Sequence, residues 1–277
     1  MIEIGKKQLL KIARVKSFGV YLQAEDDDAS VLLPSKYVPE GKSVGDEVEV
    51  FVYRDSSDRM IATTNMPLLT LGEVGRLRVS ETGKIGAFLD WGLEKDLFLP
   101  FAEQVGRPAK DQTCLAAVYL DKSHRLCATM KIYDYLSTES PYQKNDRVTG
   151  TIFQINERIG VFVAVDDKYL GMIGIRNYHG SYQVGDTVEA RVVKVREDGK
   201  LELTLSESIN EQMDKDAQTV LDLLESYDGV LPFTEKADPA VIDRELSMSK
   251  AAFKRAVGRL LKQKKIEISE GKIRARS

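Results

Sequence analysis

Residues 13–37 read ARVKSFGVYLQAEDDDASVLLPSKY, and the same stretch returns twice further along the chain. The second copy is LRVSETGKIGAFLDWGLEKDLFLPFAE from Leu77, and the third is GTIFQINERIGVFVAVDDKYLGMIGIR from Gly150. Each copy sets a glycine early in its second apolar run, at Gly19, Gly86 and Gly160. A downstream segment repeats as well. VYRDSSDRMIATT (52–64) recurs 66 residues later as VYLDKSHRLCATM (118–130), and KVREDGKLELTL keeps its shape in the third copy. Repetition in a fixed order implies three units of one architecture.

Within the third copy, VTGTIFQI, GVFVAV, YLGMIGI, VEARVVKV and KLELTL are rich in β-branched and aromatic residues. The turn signals NERIG, DDK, NYHG, QVGD and EDG separate them, so each copy reads as five short strands. Five short strands with a Gly-marked kink fit a small closed barrel of the OB type, one face of which can hold single-stranded nucleic acid. Plain alternation would send Phe18 and Tyr21 to opposite faces, and a bulge at the glycine between them is expected to turn both to one side. The equivalent pairs are Ile85 with Phe88 and Ile159 with Phe162.

These features resemble the S1 domain, the RNA-binding repeat of the ribosomal S1 protein. The resemblance implies an RNA face formed by second-strand rings and by the Asp and Arg of the last hairpin. It places Phe18, Tyr21, Asp55 and Arg59 there in the first copy, and Phe88, Asp121 and Arg125 in the second. The third copy matches only at Phe162, because Arg196 and Lys200 stand where Asp and Arg are expected. Leu33, Leu99 and Gly174 replace the third-strand His. With Arg158 and Arg176 nearby, the third copy is the one expected to touch phosphates.

After Ser206 the period becomes helical. Ile209, Met213, Ala217, Val220, Leu221 and Leu224 make one stripe. Asp238-Pro239 signals a helix start for a short second helix. From Lys250 to Lys262 the positions Phe253, Ala256, Val257, Leu260 and Leu261 form a core-facing stripe, leaving Lys254, Arg255, Arg259 and Lys262 outside. IEISEGKIRAR follows as a hairpin. Helix, turn, basic helix and hairpin describe a winged helix, whose second helix and wing commonly meet nucleic acid.

The whole chain has 277 residues, is 43% hydrophobic and 30% charged, and has a net charge of −3, a soluble globular makeup. That net value hides a dipole. Residues 209–246 hold three Lys/Arg against ten Asp/Glu, whereas residues 247–277 hold ten against two. Lys250, Lys264, Lys265 and Lys272 therefore join the candidate RNA contacts. Two cysteines, Cys114 and Cys127, are too few for a disulfide framework and suit a reducing, cytoplasmic setting. No signal core or membrane span is legible. His124 and His179 have no metal-ligand spacing around them, Asp26, Asp27 and Asp28 read as a solvated turn, and no phosphate loop or nucleophile elbow appears, so no cofactor, metal or catalytic centre is expected.

The expected fold is multidomain and mainly β: three tandem five-stranded OB-fold (S1-like) barrels at 1–67, 68–141 and 142–208, then an α+β winged-helix domain at 209–277. This order, together with MSKAAFKRAVGRLLKQKKI, is similar to the conserved virulence factor B (CvfB) family of bacteria. The resemblance implies a non-enzymatic RNA-binding regulator of gene expression. Single-stranded RNA is its expected partner, bound on a basic surface shared by the third barrel and the winged helix. A DNA-binding transcription regulator and a ribosome- or protein-docking adaptor stand as alternatives.

Overall fold

The computed structural model of the chain describes residues 1–25, 29–55, 57–175, 182–205 and 209–276, with backbone alone for residues 209–212. Arg176, Asp26, Asp27, Asp28 and His179, all singled out from the sequence, lie outside the described residues. The chain divides into two compact units, Met1–Leu205 and Ser206–Ser277.

The first unit holds three closed barrels. In the first, β1 (Lys7–Lys16), β2 (Gly19–Gln23), β3 (Ser30–Pro34), β4 (Glu47–Arg54) and β5 (Met60–Thr63) close in the order β1-β2-β3-β5-β4. Only the β3–β5 pairing is parallel. The second barrel repeats this with β6 (Val74–Thr82), β7 (Gly86–Asp90), β8 (Leu97–Pro100), β9 (Thr113–Leu120) and β10 (Leu126–Thr129). The third does so with β11 (Arg147–Asn156), β12 (Gly160–Val165), β13 (Tyr169–Gly174), β14 (Thr187–Val195) and β15 (Leu201–Thr204). The alternation read from the sequence sets which side chains point inward. Val20, Leu22, Val31, Leu33, Val50 and Val52 fill the first barrel, and their counterparts fill the others.

The repeated glycine has a different reason from the one expected. A Cβ at Gly19 would lie 2.2 Å from the Leu33 carbonyl oxygen, at Gly86 2.3 Å from that of Leu99, and at Gly160 2.1 Å from that of Ile173. Close approach of the second strand to the third demands glycine there. The bulge lies instead on the first strand, where the register slips between Ile12 and Arg14, between Val79 and Glu81, and between Ile152 and Gln154.

The barrels pack on one another. Phe51 of the first is fully buried and meets Trp91 of the second edge-on at 5.7 Å. Between the second and third, Leu115 and Ala117 join Phe153, Ala164 and Leu170 around Ile132 and Leu136 of the connecting segment. Arg76 crosses this boundary, donating to Asp167 at 2.6 Å and to the Thr151 hydroxyl at 2.6 Å.

In the second unit α1 (Ile209–Ser226), α2 (Pro239–Leu246) and α3 (Lys250–Lys262) surround a core of Ala217, Val220, Leu224, Ile242, Phe253, Ala256, Val257 and Leu260. Asp238 caps α2 by accepting from the Ala240 N–H at 2.8 Å, with Pro239 beside it. Ser249 caps α3 through Ala252. β17 (Ile266–Ser269) and β18 (Lys272–Ala275) form the wing, and β16 (Val230–Leu231), a strand not expected, extends its sheet. Leu261 departs from the expected core stripe: it is 38% exposed, because Val257 and Leu260 already complete the buried face.

Candidate nucleic-acid interface

Strand pairing in each barrel lines up one outward row of side chains. In the first barrel Arg14 lies opposite Tyr21, Tyr21 opposite Leu32, Leu32 opposite Ile61, and Ile61 opposite Tyr53. In the second the row is Glu81, Phe88, Phe98, Cys127 and Tyr119. In the third it is Gln154, Phe162, Met172, Glu202 and Lys194. Cross-strand partners share a face, so the second-strand ring stands beside the first-strand residue in each row, with a third-strand residue at its centre.

In the first row Arg14 is exposed and the other four side chains are half-buried. Phe18 is 53% exposed and meets Tyr21 edge-to-face at 6.4 Å, so the expected ring pair does converge. The Arg14 guanidinium lies over the Tyr21 ring, 4.5 Å from its centre. At the hairpin, the burial of Asp55 would raise its carboxyl. Hydrogen bonds from the Arg59 N–H and guanidinium and from the Ser57 N–H outweigh that and hold it below the usual carboxylate range. Arg59, paired with Asp55 at 2.8 Å, still keeps a side chain 76% exposed.

The second barrel places Phe88 against Phe98 at 5.4 Å, while Ile85 stands exposed beside them. Asp121 accepts from the Ser123 and Arg125 N–H groups at 2.7 and 2.9 Å, and exposed Arg125 approaches Asp58 of the first barrel at 3.7 Å. Leu33 and Leu99, the residues read as replacing the third-strand His, are fully buried and belong to the barrel cores. Their neighbours Leu32 and Phe98 take the outward positions.

The third row exposes Gln154 and Lys194 at its two ends. Phe162 is half-buried, with Tyr133 edge-on at 5.6 Å and Phe153 at 6.1 Å. Arg158 is exposed in the turn before β12. Arg196 and Lys200 both pair with Asp198, at 3.4 and 3.1 Å, so the hairpin retains an acid two residues beyond its expected place. The Lys200 hydrogen bond is the main cause of the depressed Asp198 carboxyl. Lys200 also rests 5.6 Å from the Tyr133 ring centre.

On the winged helix, Lys254, Arg255, Lys262, Lys264, Lys265 and Lys272 are exposed, with no ion pair among the described residues. Lys250 donates to the Ala237 carbonyl at 2.9 Å. Arg259 corrects the expected outward set: its side chain is 26% exposed and pairs with Asp214 of α1 at 2.5 Å, because its position on α3 turns it toward that helix. In the wing, Arg276 pairs with Glu267 and Arg274 with Glu270. Among the described residues no cluster of three His, Cys, Asp or Glu is arranged to hold a metal, and no helix is long and apolar enough to cross a membrane.

The S1 domain family matches residues 4–65 and 71–131, the second domain of the virulence regulatory factor CvfB matches 133–207, and the CvfB-like winged helix domain matches 218–274. A Bacillus subtilis protein, the uncharacterized protein YitL, is 31% identical over 96% of this chain and 92% of its own length. Conserved virulence factor B of Staphylococcus aureus is 30% identical over 83% of this chain and 79% of its own. The chain belongs to the conserved virulence factor B family. A Streptococcus pneumoniae crystal structure, described as a multidomain protein with nucleic acid binding domains, shares the fold. It has a TM-score of 0.50 and 24% identity, covering 99% of this chain and 98% of its own.

Within this CvfB chain the structure adds residues to the outward rows that motif spacing could not supply. Arg14 reaches Tyr21 only because of the bulge at Ala13, and Phe98 is recognisable only from the register of β7 with β8. Tyr53 sits one strand beyond the motif residues, and the alternation of β4 alone could have suggested it.

Proposed function

We propose that this CvfB-family protein is a non-enzymatic regulator that binds single-stranded RNA, stacking bases on the first two barrels and holding phosphates on the basic face of α3 and the wing. The observation that carries this reading is the exposed Phe18 ring beside Tyr21, which suits an unpaired base and has no use for a closed duplex. The unpaired cations of the winged helix supply the electrostatic part of binding. Arg158, Phe162, Arg196 and Lys200 of the third barrel are assigned a lesser share, since Phe162 is packed on Tyr133 and Asp198 offsets the hairpin cations. The family's description as a virulence regulatory factor supports the regulatory role.

The test is a competition between a single-stranded RNA and a duplex DNA of equal length at two salt concentrations. The RNA should win at both, with a log–log salt slope of about −0.7 per phosphate neutralised. Preference for the duplex would return the winged helix to the role of a DNA reader.

A further inference from the structure

The outward row of the second barrel opens into a cavity of about 430 Å³ at the junction with the first barrel. Its apolar wall is Phe88, Phe98 and Trp91, and its rim carries Lys95 and Arg125. Tyr53 and Arg54, from the end of β4 in the first barrel, complete it. We propose that the first barrel is an obligatory wall of the second barrel's RNA face, so that Tyr53 and Arg54 help to hold the nucleotide bound there. The proposal rests on the RNA-binding reading above and adds the first barrel's residues to the face that the S1 resemblance gives to Phe88, Asp121 and Arg125.

The volume suits a single small ligand. Phe88 and Phe98, 5.4 Å apart, offer aromatic surface to a base. Arg54, Lys95 and Arg125 place three cations around it, as a phosphate requires. Two carboxylates share the lining, Asp96 accepting from the Ser80 hydroxyl and Asp121 from the Ser123 and Arg125 N–H groups, so the three cations exceed the acids by one charge.

The contribution of the first barrel is fixed by several bonds. Arg54 donates to its own hairpin at the Asp58 carbonyl, 2.7 Å away, and across the junction to the His124 carbonyl at 3.2 Å. Asp58 in turn lies 3.7 Å from Arg125. Below them Tyr53 stacks on Phe51, 6.3 Å between centres, and Phe51 packs on Trp91. The last hairpins of two successive barrels are thereby locked into one wall. A lone barrel would present the same ring row as an open face.

Trp91 is the only tryptophan in the chain and lines the cavity with Phe51 behind it, so its emission reports on the cavity and on the junction that backs it. The full-length protein is titrated with a fluorescein-labelled A10 RNA read by anisotropy, and with unlabelled A10 read by Trp91 emission. The emission change should saturate at the same RNA concentration as the anisotropy. Phe98→Ala should remove that change and weaken affinity about tenfold, the loss expected for one stacked base. Lys95→Gln should weaken both signals while keeping the melting temperature. Arg54→Gln, which also loses the bonds to the Asp58 and His124 carbonyls, should weaken both and lower the melting temperature slightly. Gln at Lys254, Arg255 and Lys262 should instead lower affinity and leave the emission change at saturation intact. Anisotropy binding with flat Trp91 emission, or normal binding by Phe98→Ala or Lys95→Gln, overturns the pocket and leaves the broader reading standing. Normal binding by Arg54→Gln overturns the role of the first barrel. No anisotropy change with any RNA overturns the broader reading, and the pocket with it.

Discussion

Arg259 turns back from the basic helix α3 to the Asp214 carboxylate on α1, 2.5 Å away, and so joins the two helices on which the second unit's core is built. The four cations that face outward on a helical projection are therefore not equivalent. Changing Lys254, Arg255 and Lys262 to Gln should leave the melting temperature nearly unchanged, since Gln is nearly as good a helix former as Lys or Arg. RNA affinity should fall for every sequence and the salt slope should flatten. Arg259→Gln should instead cost about 1 kcal/mol of stability, the upper end for a partly exposed pair, and alter the salt slope little. Chemical denaturation beside anisotropy at two salt concentrations separates the two effects.

Phe18, just before β2, and Phe162, which stands on β12 where the first repeat has Tyr21, are expected to respond oppositely. Phe18 is half in solvent, so Phe18→Ala should change stability by less than about 1 kcal/mol while binding loses ~1 to 3 kcal/mol. Phe162 packs between Tyr133 and Phe153, and its removal should destabilise the first unit by about 2 kcal/mol, somewhat below the ~3 to 5 kcal/mol of a fully buried ring. Its effect on binding should be the smaller of the two. Equal losses of affinity at both positions would mean that the third barrel stacks bases as the first does.

The architecture was largely legible because repetition and alternation are local signals. Three copies of a strand pattern and two helical stripes determine three barrels and a winged helix. What escaped depends on register and on partners distant in sequence. The glycine at position 19 was visible, but its reason, the Leu33 carbonyl against its backbone, lies on another strand. Arg259 fits a solvated helix face by its spacing, and only the placement of α1 explains why it is paired. The candidate site was legible in part: the motif proposes Phe18, Tyr21, Phe88 and Arg125, whereas Phe98, Tyr53 and Arg54 become candidates only through the pairing of strands and the docking of one barrel on the next.

Both cysteines are expected to be inert in the native protein. Burial pushes the Cys114 and Cys127 thiols up to about 11 from an ordinary 9.0. A thiol-specific disulfide reagent at pH 8 should therefore label neither until denaturant is added, and then both. The sign for stability follows from the same shift. A folded thiol that keeps its proton more tightly contributes stability below the unfolded value, and this is lost as pH rises from about 9 towards 11. Melting temperature should accordingly fall across that window, and less steeply in a Cys114→Ala, Cys127→Ala variant. Rapid labelling of the folded protein at pH 8 would contradict the burial on which this rests.

Gly258 lies in the middle of α3 on its exposed side, between Lys254 and Lys262, and a Cβ built there would meet nothing within 4 Å. No packing requirement explains a residue that costs a helix interior roughly 1 kcal/mol relative to alanine. The same exposed arc carries Ala251 and Leu261 among its cations, so α3 presents a low central surface with positive charge on its flanks. A surface of that shape lets a polyanion's backbone come close to the helix while the lysines and arginine reach its phosphates. Gly258→Ala should therefore move two measurements in opposite directions: unfolding stability should rise by ~0.5 to 1 kcal/mol, and RNA affinity should fall several-fold as the methyl group holds the strand off. Gly258→Gln, bulkier and still uncharged, should weaken binding further without reversing the gain in helix stability. If both variants melt higher and bind RNA as the parent does, the exposed face of α3 is not where the strand lies, and the wing cations Lys264, Lys265 and Lys272 must carry the electrostatic contact alone.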